Sequence, residues 1–261
     1  MTTIKYAGQN GIIIKKDGLC VSFDLYLSDC VFRLTGQGER NYPSPISQDK
    51  LMQIDFYFVS HDHLDHMDVD TIRLVSEINS KVLFVCPYPY IDKMVEIGAD
   101  KKRIVGAKAF EDIKLTEKLV VTPIPEKHEE YIMVDGEHGA LGYVADFGGE
   151  KFYHAGDCVA DKVLANQLLE GGPYKVMFVP INGHDWKRFN EDLMGNMTYR
   201  EALDLCDYAK TDYVVPMHYD LFNNNTENPA YFVDYLYRTY RTQKFKMFIP
   251  GEVMILEDYC D

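Results

Sequence analysis

The sequence SHDHLDHMD at residues 60–68 places three histidines and three aspartates within nine positions. It follows the apolar run at residues 54–59, whose aromatic and β-branched side chains predict a buried strand. Asp68 and the residues after it have the chemistry of a helix start, with Asp68 as the N-cap. The cluster is therefore expected in a strand-to-helix turn, where a rigid scaffold directs side chains into a cleft.

The spacing inside this turn indicates a metal site. His61 and His63 are two residues apart, so an extended backbone directs both imidazoles to the same side. Asp65 and His66 follow after the chain has turned, and they can face a second metal ion. Histidine and carboxylate side chains at such spacing are typical ligands of hydrolytic transition-metal sites. The alternative interpretation is a polar surface turn that is rich in histidine.

The pattern H-x-H-x-D-H is the signature of the metallo-β-lactamase superfamily, and by this resemblance the chain is identified as a member. The resemblance implies an α/β fold, the αββα sandwich in which two mixed β-sheets are flanked by helices. The length of 261 residues and the alternation of strands and helices without a linker-like break predict one domain over residues 1–261, which the resemblance implies is a hydrolase. In the dinuclear site that it implies, one ion is bound by His61, His63 and His128, the other by Asp65, His66 and His218, and Asp157 bridges the two.

His128, Asp157 and His218 each come after a predicted strand, which is where the superfamily places its remaining ligands. His138 competes with His128, but it lies in a glycine-rich turn and is interpreted as a solvent-exposed residue. Asp24 ends the first predicted hairpin. There it either caps the loop or accepts a hydrogen bond that holds a ligand histidine in the correct tautomer.

No cysteine belongs to this ligand set, so the set is compatible with zinc, manganese or iron. We expect one or two divalent ions per chain, either Mn²⁺ or Zn²⁺. Further segments resemble the L-ascorbate-6-phosphate lactonase group, a resemblance that favours manganese, whereas the usual order of affinities favours zinc. The segments are residues 24–29, 184–186, 195–198 and 216–220. The sequence departs from that group at Leu25, where proline is usual, and at His184, where arginine is expected.

The resemblance implies a lactonase that opens the lactone of a sugar acid, possibly phosphorylated, by attack of a metal-bound hydroxide. Asp65 is the expected catalytic residue, because it can orient the hydroxide and accept its proton. Two alternatives stay open. One is a phosphodiesterase or nuclease on the same dinuclear scaffold, and the other is a non-catalytic metal-binding protein.

The expected substrate is a small anionic molecule. Its predicted binding residues are Arg33, Asn182, His184 and Asn196. Histidine holds an anion less firmly than arginine and in a pH-dependent way. His184 therefore predicts either a smaller or less charged substrate than ascorbate 6-phosphate, or binding that weakens above about pH 7. The alternative is that these side chains belong to solvated loops and a helix cap.

The composition limits the kinds of molecule to which the protein is expected to bind. A net charge of −14 argues against binding to nucleic acid, which requires basic patches. The sequence has no apolar run of the roughly 18 residues that a membrane span needs and no recognisable export signal. Its six cysteines are scattered without a C-x-x-C motif, so we expect reduced thiols in a cytoplasmic protein. A homo-oligomer is expected from the family resemblance alone.

Three segments outside the ligand motifs carry further predictions. Residues 30–50 lack a clear hydrophobic period and are predicted to form a long loop near the site. Near the C-terminus, strands are predicted around residues 245–249 and 253–256.

Overall fold

The computed structural model describes residues 1–191 and 193–257. The strands in chain order are β1 (Thr2–Gly8), β2 (Gly11–Lys16), β3 (Leu19–Phe23), β4 (Phe56–Phe58), β5 (Leu83–Pro87), β6 (Ile104–Ala107), β7 (Ile113–Thr116), β8 (Leu119–Pro125), β9 (Lys127–His128), β10 (Glu130–Tyr131), β11 (Met133–Val134), β12 (Glu137–His138), β13 (Leu141–Asp146), β14 (Lys151–His154), β15 (Tyr174–Pro180), β16 (Thr211–Met217), β17 (Lys244–Phe245) and β18 (Val253–Leu256).

The α-helices are α1 (Cys30–Thr35), α2 (Gln48–Leu51), α3 (Val69–Ile78), α4 (Ile91–Ile97), α5 (Lys162–Gly171), α6 (Trp186–Asn190), α7 (Tyr199–Ala209) and α8 (Pro229–Thr239). Short 3₁₀ turns cover Tyr88–Tyr90 and Lys101–Arg103. In the described ranges, no helix combines the length and the apolar character that a bilayer crossing requires.

Two seven-stranded mixed sheets form the centre of the molecule. The strand order is β18-β1-β2-β3-β4-β5-β6 in the first sheet and β17-β16-β15-β14-β13-β8-β7 in the second. Each sheet has an antiparallel part that leads into a parallel part, β3 to β6 in the first sheet and β14 to β17 in the second. Because neighbouring parallel strands end at the same edge of a sheet, the loops that follow them are brought together.

The central core lies between the sheets. Ile4 of β1 pairs with Ile14 of β2, and Tyr6 pairs with Ile12, so alternate residues of both strands direct apolar side chains inward. Phe178 of β15 meets them from the second sheet. All five are fully buried, and burying such a side chain stabilises the fold by roughly 1.5–3 kcal/mol.

Helices cover the outer face of each sheet. Buried residues of α3 and α4 belong to a cluster on the first sheet, and those of α5, α7 and α8 belong to a cluster on the second. The architecture is therefore the αββα sandwich of the metallo-β-lactamase fold. The predicted helix start at Asp68 is also confirmed, and α7 begins at a similar N-cap, Thr198. The Asp68 side chain accepts hydrogen bonds from the Asp70 and Thr71 amides, and Thr198 forms a capping box with Glu201.

Three sequence-based predictions were wrong in part. Residues 30–50 are not a continuous loop, because they contain helices α1 and α2. Cys30 of α1 is buried with Tyr26 and Phe222, a tertiary contact that no local pattern reveals. The strand around 245–249 ends at Phe245, and His138 lies half-buried in β12 instead of a solvent-exposed turn. Strand β18 is confirmed.

Candidate metal centre

One edge of the sandwich carries all seven predicted metal ligands, in the segments that follow strands β4, β8, β14 and β16. The structure brings them together in two groups, and the donor atoms within each group lie within 4.8 Å of one another. The groups are His61, His63, His128 and Asp157, and Asp65, His66 and His218. They match the two predicted ligand sets, with Asp157 adjoining the first.

Asp157 lies between the two groups. Its Oδ1 is 3.3 Å from His66 Nε2, and its Oδ2 is 3.2 Å from His218 Nε2 and 3.8 Å from His128 Nε2. One carboxylate thus approaches histidines of both groups, as a bridging ligand must. Asp65 completes the second group, with its Oδ2 3.5 Å from His218 Nε2.

The backbone around the ligands is tightly constrained. Gly156 has a φ of +59°, and a Cβ on it would lie 2.7 Å from the Cβ of Ser60. Only glycine allows the Asp157 turn to approach the His61 loop this closely. Asp24 and His218 adopt positive φ angles of 44° and 58°, which are unfavourable for residues with a Cβ. Such conformations concentrate at functional sites, where the surrounding structure holds them in place.

Hydrogen bonds to the far side of the imidazoles set their orientation. Asp24 Oδ2 lies 2.8 Å from His66 Nδ1, and the same carboxylate accepts from the Ser60 amide at 2.7 Å and from its hydroxyl at 2.6 Å. His128 Nδ1 lies 3.2 Å from the carbonyl oxygen of Gly195. Protonating Nδ1 directs the Nε2 lone pair of each ring into the centre. Asp24 therefore occupies the position predicted for it beside a ligand histidine.

The buried charges of the centre shift the pKa values of its members in opposite directions. Burial lowers the pKa of His128 to about 4. Burial also lowers the pKa of His218, but the carboxylates of Asp157 and Asp65 outweigh it and raise that pKa to about 9. Burial raises the pKa of Asp157, but the imidazoles of His218 and His66 outweigh it and hold that pKa well below its usual range. The carboxylates thus favour positive charge at their centre, whether carried by protons or by divalent cations.

The donor set fits divalent transition metals. Nε2 of His66 is buried without a hydrogen-bond partner, 3.3 Å from Asp157 Oδ1, so a divalent cation would supply a partner for the lone pair of the neutral ring. Imidazole nitrogen and carboxylate oxygen suit Zn²⁺ and Mn²⁺. His61, His63, His128 and Asp157 would hold one ion, and Asp65, His66 and His218 would hold the other together with Asp157.

Two residues of the centre were missed by the sequence analysis. Gln9 Nε2 donates to Asp65 Oδ2 at 2.8 Å and lies 3.0 Å from His218 Nε2. Asn10 Nδ2 donates to Asp157 Oδ1 at 2.7 Å. Both lie in the turn between β1 and β2, and Gln9 has a φ of +54°. The dipeptide Asn10-Gly11 is a hairpin signal that could have revealed this turn.

The predicted substrate residues lie elsewhere. Arg33 is on α1 and pairs with Asp70. The other three form a hydrogen-bonded group, in which Asn196 Nδ2 donates to Asn182 Oδ1 at 3.0 Å and His184 Nδ1 lies 2.9 Å from the Asn196 carbonyl oxygen. Among the described residues, the lining of the cavity over the centre includes none of these four. Their role in substrate capture stays a prediction that the cavity does not support.

The cavity over the centre has a volume of about 340 Å³. Its floor is formed by ligand side chains, namely His63, Asp65, His128, Asp157 and His218. Its walls come from α1 and the chain after it, from the segment after α6, and from residues 222–225. A substrate that enters this cavity therefore meets the ligand cluster directly.

The fold and the ligand cluster define a class of protein, and comparison with known families agrees. The chain belongs to the β-lactamase superfamily, whose domain model matches residues 25–219. With its His/Asp cluster, it is a metal-dependent hydrolase of the metallo-β-lactamase type.

Two curated relatives and one solved structure show how similar this chain is to individual proteins. A UPF0173 metal-dependent hydrolase of Hyperthermus butylicus is 26% identical over 259 residues, covering 97% of this chain and 99% of that protein. A probable L-ascorbate-6-phosphate lactonase, UlaG of Salmonella heidelberg, is 23% identical over 203 residues, covering 73% of this chain and 56% of that protein. Igni18, a metallo hydrolase of the archaeon Ignicoccus hospitalis, shares the fold with a TM-score of 0.76 at 20% identity, over 99% of this chain and 100% of that one.

Proposed function

We propose that this chain is a lactonase that hydrolyses a small lactone, such as that of a sugar acid, with two divalent ions, Mn²⁺ or Zn²⁺. The observation that carries the proposal is the position of Asp157 between two complete ligand groups at the floor of a cavity. The similarity to a probable lactonase over 73% of the chain supports the choice of a lactone.

When bound, the ions would supply a nucleophilic water at neutral pH and polarise the substrate carbonyl. The side chains have separate roles around them. Asp157 has a 5% exposed side chain and accepts from Asn10, so it serves as a structural ligand. Asp65 is 16% exposed and reaches the cavity, so it can orient the attacking water.

The protonation state of Asp65 suits this role. Burial raises its pKa, but the imidazoles of His66 and His218 outweigh burial and hold the pKa below its usual range. The carboxylate therefore stays ionised, and it would accept a hydrogen bond from a water that bound ions supply. A base with so low a pKa holds a proton only transiently, so we assign Asp65 to orientation and proton relay.

The proposal is tested with protein purified without chelator. We expect about two ions per chain by elemental analysis, and hydrolysis of sugar lactones with Mn²⁺ or Zn²⁺. Asp65→Asn should keep the fold and lose turnover by about a hundredfold or more. Asp62→Asn is the matched control, because Asp62 lies in the same motif but its Oδ2 pairs with Lys93 Nζ at 2.8 Å.

Two results would contradict the proposal. Normal turnover of Asp65→Asn at full metal content would remove the role of Asp65. Cleavage of a phosphodiester without hydrolysis of any lactone would favour the phosphodiesterase alternative.

The expected location and assembly are also proposals. The five cysteines in the described part of the chain are free and buried, which supports a reducing compartment such as the cytoplasm. Light scattering at micromolar concentration tests the expected homo-oligomer, and a single monomeric mass would contradict it.

A further inference from the structure

The walls of the cavity are uncharged above the floor of metal ligands. Their apolar side chains are Val31, Leu193, Met194 and Phe222. Their polar side chains are the neutral Thr35, Gln37, Asn224 and Asn225. Among the described residues, neither a lysine nor an arginine lines the cavity.

The arginines on the surrounding segments have other partners. Arg33 pairs with Asp70. Arg188 pairs with Asp185 and donates to the Thr226 carbonyl oxygen at 2.6 Å. Arg188 Nε also donates to Oδ1 of the wall residue Asn225 at 3.1 Å, although Arg188 itself does not line the cavity. The Arg33 side chain is 48% exposed, but its partner Asp70 lies outside the cavity lining.

Arg40 differs from them, because its guanidinium donates to backbone carbonyl oxygens and one of its nitrogens is fully buried. Its Nη1 donates to the carbonyl oxygens of Tyr26 and Ser28 at 2.9 and 2.8 Å. Its Nη2 is buried without a hydrogen-bond partner, so it reaches neither solvent nor the cavity. An anionic group on a substrate would thus find no cation in the walls.

The uncharged walls determine how well a charged substrate can replace its lost water inside the cavity. A phosphate that enters the cavity loses water, and neutral amides such as Gln37 and Asn224 do not replace the missing cation. Bound metal ions would attract the phosphate themselves, which would place it where the carbonyl must bind. The walls therefore disfavour a phosphorylated substrate.

The apolar side chains provide a place for a hydrocarbon substituent. Phe222 is 6% exposed and packs against Tyr26 with ring centroids 5.8 Å apart, so it is a fixed surface. Met194 is 38% exposed, and its flexible side chain can adapt to different shapes. The volume of 340 Å³ corresponds to about eleven waters at about 30 Å³ each, or a molecule of about ten heavy atoms.

We propose that the substrate is an uncharged lactone or ester with a short apolar substituent that contacts Val31, Met194 and Phe222. This inference rests on the proposed hydrolase function and replaces the expected anionic substrate. It is independent of Arg33, Asn182, His184 and Asn196.

Three δ-lactones test the charge of the substrate: δ-octalactone, glucono-δ-lactone and glucono-δ-lactone 6-phosphate, each with the metal-loaded protein. We expect kcat/KM to be highest for δ-octalactone and lowest for the phosphate, by about tenfold or more. Preference for the phosphorylated lactone would overturn the inference while leaving the lactonase standing. Hydrolysis of none of the three would overturn the proposed function and this inference with it.

Two variants test the walls directly. Gln37→Arg adds a cation to the wall and should raise the kcat/KM ratio of phosphorylated to alkyl lactone by about tenfold. Gln53→Arg is the matched control, because it adds the same charge at an exposed position outside the cavity lining and should leave the ratio unchanged. Phe222→Ala should lower kcat/KM for δ-octalactone by about tenfold more than for glucono-δ-lactone.

Binding without turnover gives a second readout. The lactam analogue of δ-octalactone should raise the melting temperature of the wild-type metal-loaded protein, and less so for Phe222→Ala. Equal stabilisation of both proteins, or an unchanged substrate ratio in Gln37→Arg, would overturn the inference.

Discussion

The candidate metal ligands come from two regions that are built differently. The first region is the turn at residues 61–66, which supplies four of the seven ligands from six consecutive positions. The second comprises His128, Asp157 and His218, which follow three separate strands of the second sheet. Ligands that are near in sequence need only a local turn, whereas distant ligands depend on the register of a whole sheet.

The two regions are also supported differently. The turn is held by contacts within the first half of the chain. Asp24 contacts Ser60 and His66. Asp68 accepts hydrogen bonds from the Leu27 and Ser28 amides. Two of the distant ligands depend on the other half, because Asn10 donates to Asp157 and Gln9 lies 3.0 Å from His218. The cluster of candidate ligands is therefore complete only when the two sheets are docked.

The largest effect is expected for Asp157→Asn, which removes the charge shared by both ligand groups. Metal content should fall at both positions, and kcat/KM should fall by about a thousandfold or more. Elemental analysis and lactone hydrolysis measure the two changes. Asp207→Asn on the exposed face of α7 is the control. Normal metal content and turnover in Asp157→Asn would show that the two groups do not share this ligand.

Asp24→Asn should weaken the turn at residues 61–66. The buried carboxylate accepts two hydrogen bonds from Ser60, and an amide cannot serve these donors and His66 Nδ1 equally well. We expect a loss of about 2 kcal/mol in the free energy of unfolding and a reduction in metal affinity of about tenfold to a hundredfold.

Urea denaturation of the metal-free protein and metal titration separate these two effects. The exposed Asp29, whose side chain makes no cap hydrogen bond, provides the control variant Asp29→Asn. An effect on stability without any effect on metal affinity would mean that Asp24 supports only the fold.

Gln9→Ala should have a smaller and more selective effect. It removes the donor to Asp65 and the contact with His218, both in the second ligand group. We expect about tenfold weaker binding of one ion and little change in the other, measured by calorimetric titration. Asn10→Ala should weaken both ions, because Asn10 contacts the shared Asp157. Equal weakening of both ions in Gln9→Ala would contradict the division into two groups.

The smallest effect is expected for Arg33→Ala. The Arg33 side chain is 48% exposed and pairs with Asp70 outside the cavity, and exposed ion pairs contribute little to stability. Melting temperature and kcat/KM should match the wild type for charged and uncharged lactones alike. A selective loss with phosphorylated lactones would restore Arg33 as a substrate residue.

The sequence predicted the parts of the site that depend on local patterns. Asp68 was identified as a helix cap, and Asp24 was interpreted either as a loop cap or as an acceptor beside a ligand histidine. The structure places Asp24 beside His66. Helix α1 was missed because its single buried residue, Cys30, packs against residues distant in sequence. The same limit applies to Gln9, whose side chain meets Asp65 across 56 positions of the chain.

The sequence by itself determined the αββα class and the identity of the seven candidate ligands. Both follow from the resemblance to the metallo-β-lactamase superfamily, which rests on the motif H-x-H-x-D-H and on the residues after the predicted strands. The periodicity of the apolar residues alone predicts only an α/β fold. Only the tertiary structure decided that Gln9 and Asn10 reach the centre. It also decided that Arg33 pairs with Asp70 and that uncharged side chains line the walls of the cavity. These contacts join segments far apart in the chain, so their geometry depends on how the two sheets and their loops pack, which no local pattern encodes.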